Sequence, residues 1–176
     1  EAEAKAALAA DPQLGLAHSV LGFVYLARLD VNAGRDSFMA AIGFEPNAPL
    51  PRLGLGLAKI RDGDLEAGRQ DIEIAVILDP GNSLIRSYVG KAYYEEKRDD
   101  LAASQFSLAK TLDPNDPTPW FYEAFRKLAA NQPVEALNEL RQSVALNDNR
   151  AVYRSRLLLD DDAAARNAGV SAIYNE

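Results

Sequence analysis

The sequence predicts an all-α fold, a solenoid of repeated helical hairpins, and three observations predict it. Pro12, Pro46, Pro80 and Pro114 recur at one constant spacing, each behind an acid as Asp11-Pro12, Glu45-Pro46, Asp79-Pro80 and Asp113-Pro114. Two side-chain columns keep that period of 34: Ala7, Ala41, Ala75 and Ala109, continued by Ser143, and Phe38, Ile72, Phe106 and Leu140. A third column pairs an apolar residue with glycine at Leu21-Gly22, Leu55-Gly56 and Val89-Gly90, and becomes Glu123-Ala124 in the last unit. Self-similarity at a fixed period of this length marks a supersecondary unit that buries its apolar face only by stacking on its neighbours.

Each unit reads as two amphipathic helices. The first carries Leu-Gly with Tyr25 or Tyr93 three residues later, where Lys59 and Lys127 stand in the other units; its glycine lets a neighbouring helix approach closely. The second runs from a small residue (Gly34, Gly68, Ala102, Ala136) to the large apolar residue four later and the small one three beyond, so small and large alternate along one stripe. Proline then stops the helix, because it lacks the N–H for the next bond and restricts the residue before it. Asp62-Gly63-Asp64, Lys97-Arg98-Asp99-Asp100 and Asn131-Gln132-Pro133 are polar turns of the length that joins antiparallel helices.

This pattern resembles the tetratricopeptide repeat (TPR) family, whose unit has W-x-x-L-G-x-x-Y early, A-x-x-x-F in its second helix and a late proline. The resemblance implies a right-handed αα superhelix with full repeats at 15–48, 49–82, 83–116 and 117–150, preceded at 1–14 by the second helix of an earlier repeat. Only Trp120 fills the tryptophan slot, which holds His18, Arg52 and Arg86 elsewhere, and Glu123 in an apolar slot predicts less regular packing of the fourth repeat. If Val170-Ser171 and Tyr174 begin another first helix at 164, that start falls 47 after 117, or 13 beyond the period. An insertion at 151–163 accounts for the delay, and Asp160-Asp161-Asp162 is placed to cap the helix after it. Beginning inside a second helix and ending inside a first, at 164–176, the chain is expected to be a fragment of a longer array. Arg154 to Asp160, with Ala164-Ala165-Arg166 and Ile173-Tyr174, is similar to a segment that follows repeat arrays in large bacterial proteins combining a FecR-like domain, TPRs and a C-terminal outer-membrane-type barrel. That second resemblance implies a bacterial cell envelope or periplasmic setting.

Composition narrows the chemistry. The 176 residues contain no cysteine and one histidine, so zinc sites, thiol nucleophiles and two-histidine metal motifs are excluded, and no cofactor or catalytic residue is expected. With 19 Lys+Arg against 26 Asp+Glu, the net charge of −7 opposes nucleic-acid and anionic-membrane binding, although Arg52, Lys59 and Arg61 form a local basic run. The longest apolar run, Val20 to Ala27, falls well short of the roughly 20 residues a membrane helix needs, so no direct membrane insertion is expected. The N-terminal Glu1-Ala2-Glu3-Ala4-Lys5 lacks the basic region and apolar core of a targeting segment. Gly54-Leu55-Gly56-Leu57-Ala58-Lys59 lacks the third glycine and Gly-Lys-Ser/Thr ending of a phosphate loop and reads as helix, while His18 reads as a helix-interface residue.

The resemblance places twelve first-helix positions on the inner surface that lines the family's peptide groove, and the set is mostly apolar and aromatic. Phe23, Leu57, Lys91, Tyr94, Phe121 and Phe125 are the candidate binding residues, with Lys91 the one cation of the twelve. Family members that clamp a C-terminal carboxylate use Lys and Asn at such positions, which argues against that activity here. The expected function is a non-catalytic protein–protein interaction scaffold holding a protein or peptide segment in this groove. The alternative is a structural spacer or self-association module, so the oligomeric state stays open.

Overall fold

The computed structural model describes residues 1–146. The end of the fourth expected repeat, the insertion at 151–163 with Asp160-Asp161-Asp162, and the helix expected at 164–176 lie outside the described residues. Among the described residues every regular element is helical: α1 (Ala2–Ala10), α2 (Gly15–Ala27), α3 (Val31–Phe44), α4 (Pro49–Arg61), α5 (Leu65–Leu78), α6 (Ser83–Glu95), α7 (Asp99–Leu112), α8 (Pro117–Ala129) and α9 (Pro133–Ala145). The first helices of successive hairpins keep the period of the sequence, starting at Gly15, Pro49, Ser83 and Pro117. The chain forms two compact units, Glu1–Pro80 and Gly81 onward.

In the first unit, Asp30 and Asp64 start the second helices by accepting the amides of Ala33 (3.1 Å) and Ala67 (3.0 Å). Such caps satisfy helix N–H groups that have no partner within the helix. Phe38 of α3 is fully buried where α2 and α4 present glycine: a Cβ at Gly22 would lie 2.5 Å from its ring and one at Gly54 2.2 Å. Gly22 and Gly54 thus form a socket for Phe38, and Phe23 closes it edge-on at 4.9 Å between ring centroids. Arg61 Nη1 of α4 donates to the Leu26 carbonyl of α2 at 2.8 Å, adding a donor from the next hairpin to the C-terminal end of α2.

The second unit repeats the scheme with different side chains. Phe106 of α7 is fully buried and Gly90 of α6 meets its ring, but α8 offers Tyr122 at the position two periods on from Gly54. The Tyr122 ring stacks on Phe106 at 6.4 Å and meets Tyr88 edge-on at 5.8 Å. Asn82 and Asp116 cap α6 and α8 through the Ile85 amide (3.2 Å) and the Thr118 amide (2.9 Å), and the buried Asp116 also accepts the Ser83 hydroxyl at 2.8 Å.

Glu123 does not interrupt α8. It is buried, and its carboxylate accepts Arg126 Nε and Nη2 at 2.8 and 2.7 Å, which neutralises the charge one turn away. That bond is the main reason the Arg126 guanidinium is held above its usual pKa range.

Each hairpin turn contains one residue in the left-handed region, and these keep the same period: Leu29 (φ 65°), Gly63 (φ 96°), Lys97 (φ 62°) and Asn131 (φ 59°). Only the second is glycine, the residue that adopts this conformation without steric cost.

Candidate functional site

The six candidate residues divide by unit and by exposure. In the first unit, Phe23 on α2 and Leu57 on α4 are buried, Phe23 against Phe38, and present little side-chain surface. In the second unit, Phe121 is also buried; it meets Phe125 edge-on at 4.9 Å and Tyr122 at 5.4 Å. Phe125 is 37% exposed, and Lys91 and Tyr94 on α6 are half-buried. Lys91 Nζ lies 5.5 Å over the Tyr122 ring and 3.6 Å from Glu95, while Lys97 Nζ lies 5.6 Å from the Tyr94 ring. The side chains of the set that offer surface to a partner are therefore Phe125, Tyr94 and Lys91, carried by α6 and α8. Phe121 backs Phe125 and fixes its ring.

A periodic polar column escaped the sequence reading. Ser37, Asp71, Gln105 and Glu139 recur at the repeat period on the second helices. Asp71 is buried and takes Arg52 Nη1 at 3.0 Å and Lys59 Nζ at 2.6 Å, both from α4. Arg86 Nη1 donates to Gln105 Oε1 at 3.0 Å. Glu139 takes Lys127 Nζ of α8 and Lys110 Nζ of α7, each at 2.5 Å, and Lys110 also sits 4.2 Å over the Trp120 ring. Ser37 departs from the pattern and donates to the Ala33 carbonyl of its own helix. A signal for the column does exist in the sequence: Arg52 and Arg86, which stand in the tryptophan slot, are its donors.

These contacts also decide the basic run. Arg52 and Lys59 are both paired with the buried Asp71, and Arg61 is engaged with a backbone carbonyl, so the three do not form a free cationic surface. His18 stacks on Phe44 at 5.5 Å with Nε2 2.9 Å from the Pro12 carbonyl, which places it at a helix interface. Gly54 to Lys59 lies within α4. Among the described residues no group of three or more His, Cys, Asp or Glu side chains is arranged to hold a metal, and no helix is long and apolar enough to cross a membrane. A cavity of about 380 Å³ lies in the second unit where the start of α6 faces the end of α7, lined by Gly81, Asn82, Ser83, Leu84, Leu112, Asp113 and Asp116. Its buried carboxylate, Asp116, is already bonded to Ser83 and Thr118.

No family model and no curated protein matches the chain. Solved structures do. The thermophilic TPR protein TTC0263 of Thermus thermophilus matches with a TM-score of 0.76 at 20% identity, over 89% of this chain and 88% of that one. The APC/C hetero-tetramer Cut9-Hcn1 matches with a TM-score of 0.79 at 14% identity over 98% of this chain, which spans about a third (32%) of the chain it matches. YrrB, described as a TPR protein with an unusual peptide-binding site, matches with a TM-score of 0.60 at 19% identity, over 88% of this chain and 80% of that one. Hairpins at a constant period, a column of large buried apolar side chains on the second helices, and these likenesses agree: the chain has the tetratricopeptide-repeat solenoid fold.

Proposed function

We propose that the protein is a non-catalytic interaction scaffold whose second unit binds a polypeptide segment on the face formed by α6 and α8. The observation that carries this reading is Phe125, a large aromatic left 37% exposed on a helix whose other aromatics are buried or half-buried, with Phe121 fixing its ring and Tyr94 and Lys91 on the same face. Burying one such side chain against a partner contributes about 1.5–3 kcal/mol before ordering costs. The fold supports the reading, and so does YrrB, a chain of like fold described as having a peptide-binding site. Selection of a random peptide library against the chain tests it: binders should be enriched, and Phe125→Ala with Tyr94→Ala should weaken them at least about tenfold, each anchor contributing about 1–2 kcal/mol. Failure to enrich any binder, or unchanged affinity in a folded double variant, refutes it.

Self-association is the second reading, and α7 favours it. Leu101, Leu108 and Leu112 are exposed at i, i+7 and i+11, and the Ser104 and Thr111 hydroxyls near them are turned back onto carbonyls of their own helix at 2.8 and 3.1 Å. Mass measured by light scattering should then rise with concentration, and Leu108→Glu should hold it at the monomer value; a constant monomer mass removes this reading. The bacterial-envelope setting rests on residues 154–174, outside the described residues.

A further inference from the structure

We propose that the hairpin α8–α9 is fastened to α7 by a charge clasp centred on Lys110, and that it swings open as one element when the clasp is released. Two differences between corresponding places in the chain carry this. In the first unit Phe38 seats directly against Gly54, close enough that a Cβ there would be 2.2 Å from the ring. In the second unit Tyr122 occupies that position with its ring 6.4 Å from Phe106, so α7 and α8 meet through a stacked ring pair instead of a ring pressed on backbone. The looser apolar seat is accompanied by an ionic one. Lys110 of α7 reaches over Trp120 of α8, 4.2 Å from its ring, to Glu139 of α9 at 2.5 Å. In the first unit the matching carboxylate, Asp71, draws both its cations from α4 of its own hairpin, and the residue matching Lys110, on α3, is Ile42. A second ion pair across the junction, Arg126 to Asp99, is 3.9 Å long.

The clasp is neither fully dry nor a surface pair, its side chains being 17% and 10% exposed, so its loss lies between the small cost of an exposed pair and the large cost of a buried one. Release has a definite consequence. Tyr88 and Phe106, both buried, lose the Tyr122 ring that covers them, and an aromatic surface hidden in the closed form is uncovered on α6 and α7. Opening parts α8 from α6, so a segment bound across the α6–α8 face opposes it.

Native-state hydrogen exchange on the full 176-residue chain tests the clasp, and Trp120, its single tryptophan, reports on it through iodide quenching. In the wild type, α8 and α9 amides should exchange together and ahead of α6 and α7. Lys110→Met should accelerate α8 and α9 about tenfold, between the two limits above, leave α6 and α7 unchanged, and raise Trp120 quenching, while Lys110→Arg restores the wild-type pattern. If Lys110→Met does not fold, raising the wild type to about 1 M NaCl, where the screening length is about 3 Å, should produce a smaller acceleration with the same selectivity, because a largely buried pair is only partly screened. Exchange of α6 to α9 in a single step overturns the proposal, as does an unchanged rate in Lys110→Met or equal loss in Lys110→Arg.

Discussion

Alanine at Gly54 and alanine at Gly43 should change stability in opposite directions, although both replace a glycine within a helix of the first unit. At Gly43 an added Cβ meets nothing within 4 Å, so the variant keeps only the propensity advantage of alanine, up to about 1 kcal/mol. At Gly54 the Cβ would stand 2.2 Å from the Phe38 ring, whereas ordinary contact begins at 3.4 Å, so the ring must retreat by the whole difference. Its retreat is blocked, because on the α2 side a Cβ at Gly22 would be only 2.5 Å from the same ring and Phe23 lies edge-on to it. Overpacking of this kind costs about 1–3 kcal/mol, and a ring confined on both sides belongs at the upper end. Subtracting the propensity gain leaves Gly54→Ala less stable than the wild type by about 2 kcal/mol, and roughly 3 kcal/mol below Gly43→Ala. Urea unfolding of the three proteins measures this as midpoint shifts at constant slope. Trimming the ring should rescue the clash, so Phe38→Leu should cost less in the Gly54→Ala background than alone. A Gly54→Ala variant as stable as Gly43→Ala would show that the glycine is not a socket for Phe38, and the close-packing argument would fail.

Leu29, 73% exposed and left-handed, makes Leu29→Gly a stabilising change of about 1 kcal/mol in thermal unfolding, while Asn131→Gly should gain less because asparagine tolerates that conformation. Asp71→Asn strands two partly exposed cations and should lower stability by about 2 kcal/mol, more than either Arg52→Met or Lys59→Met, since each of those leaves the carboxylate one partner. Equal losses from all three in urea unfolding would show that the cluster is not a shared charge site.

The hairpin pattern could be read from the chain because it is written in residues whose role depends only on their place in the period. Phe38, Ile72, Phe106 and Leu140 form one column and all are buried. What depends on a neighbour in space was harder to read. Register marks Phe23 and Phe125 as the same position of the first and fourth hairpins, yet one ring is covered by Phe38 and the other is left part exposed. The polar column was hidden because Asp71, Gln105 and Glu139 differ in type and find their partners 12 to 29 residues away, on other helices. The left-handed turn residues were hidden because Leu29 and Lys97 are not residues that announce such a conformation.

The source of the cations around the polar column bears on how such a chain can be cut and recombined. The hairpin α4–α5 brings both cations for Asp71 with it, so that site keeps its partners when the hairpin is copied or moved. The hairpin α8–α9 shares Glu139 with a lysine of the preceding one, and moving it leaves Lys110 without its carboxylate in one place and Glu139 short of a partner in another. The period of the sequence is uniform, but the repeats are not equally portable: the carboxylate site of α4–α5 travels whole with its hairpin, whereas that of α8–α9 must be inherited with its neighbour.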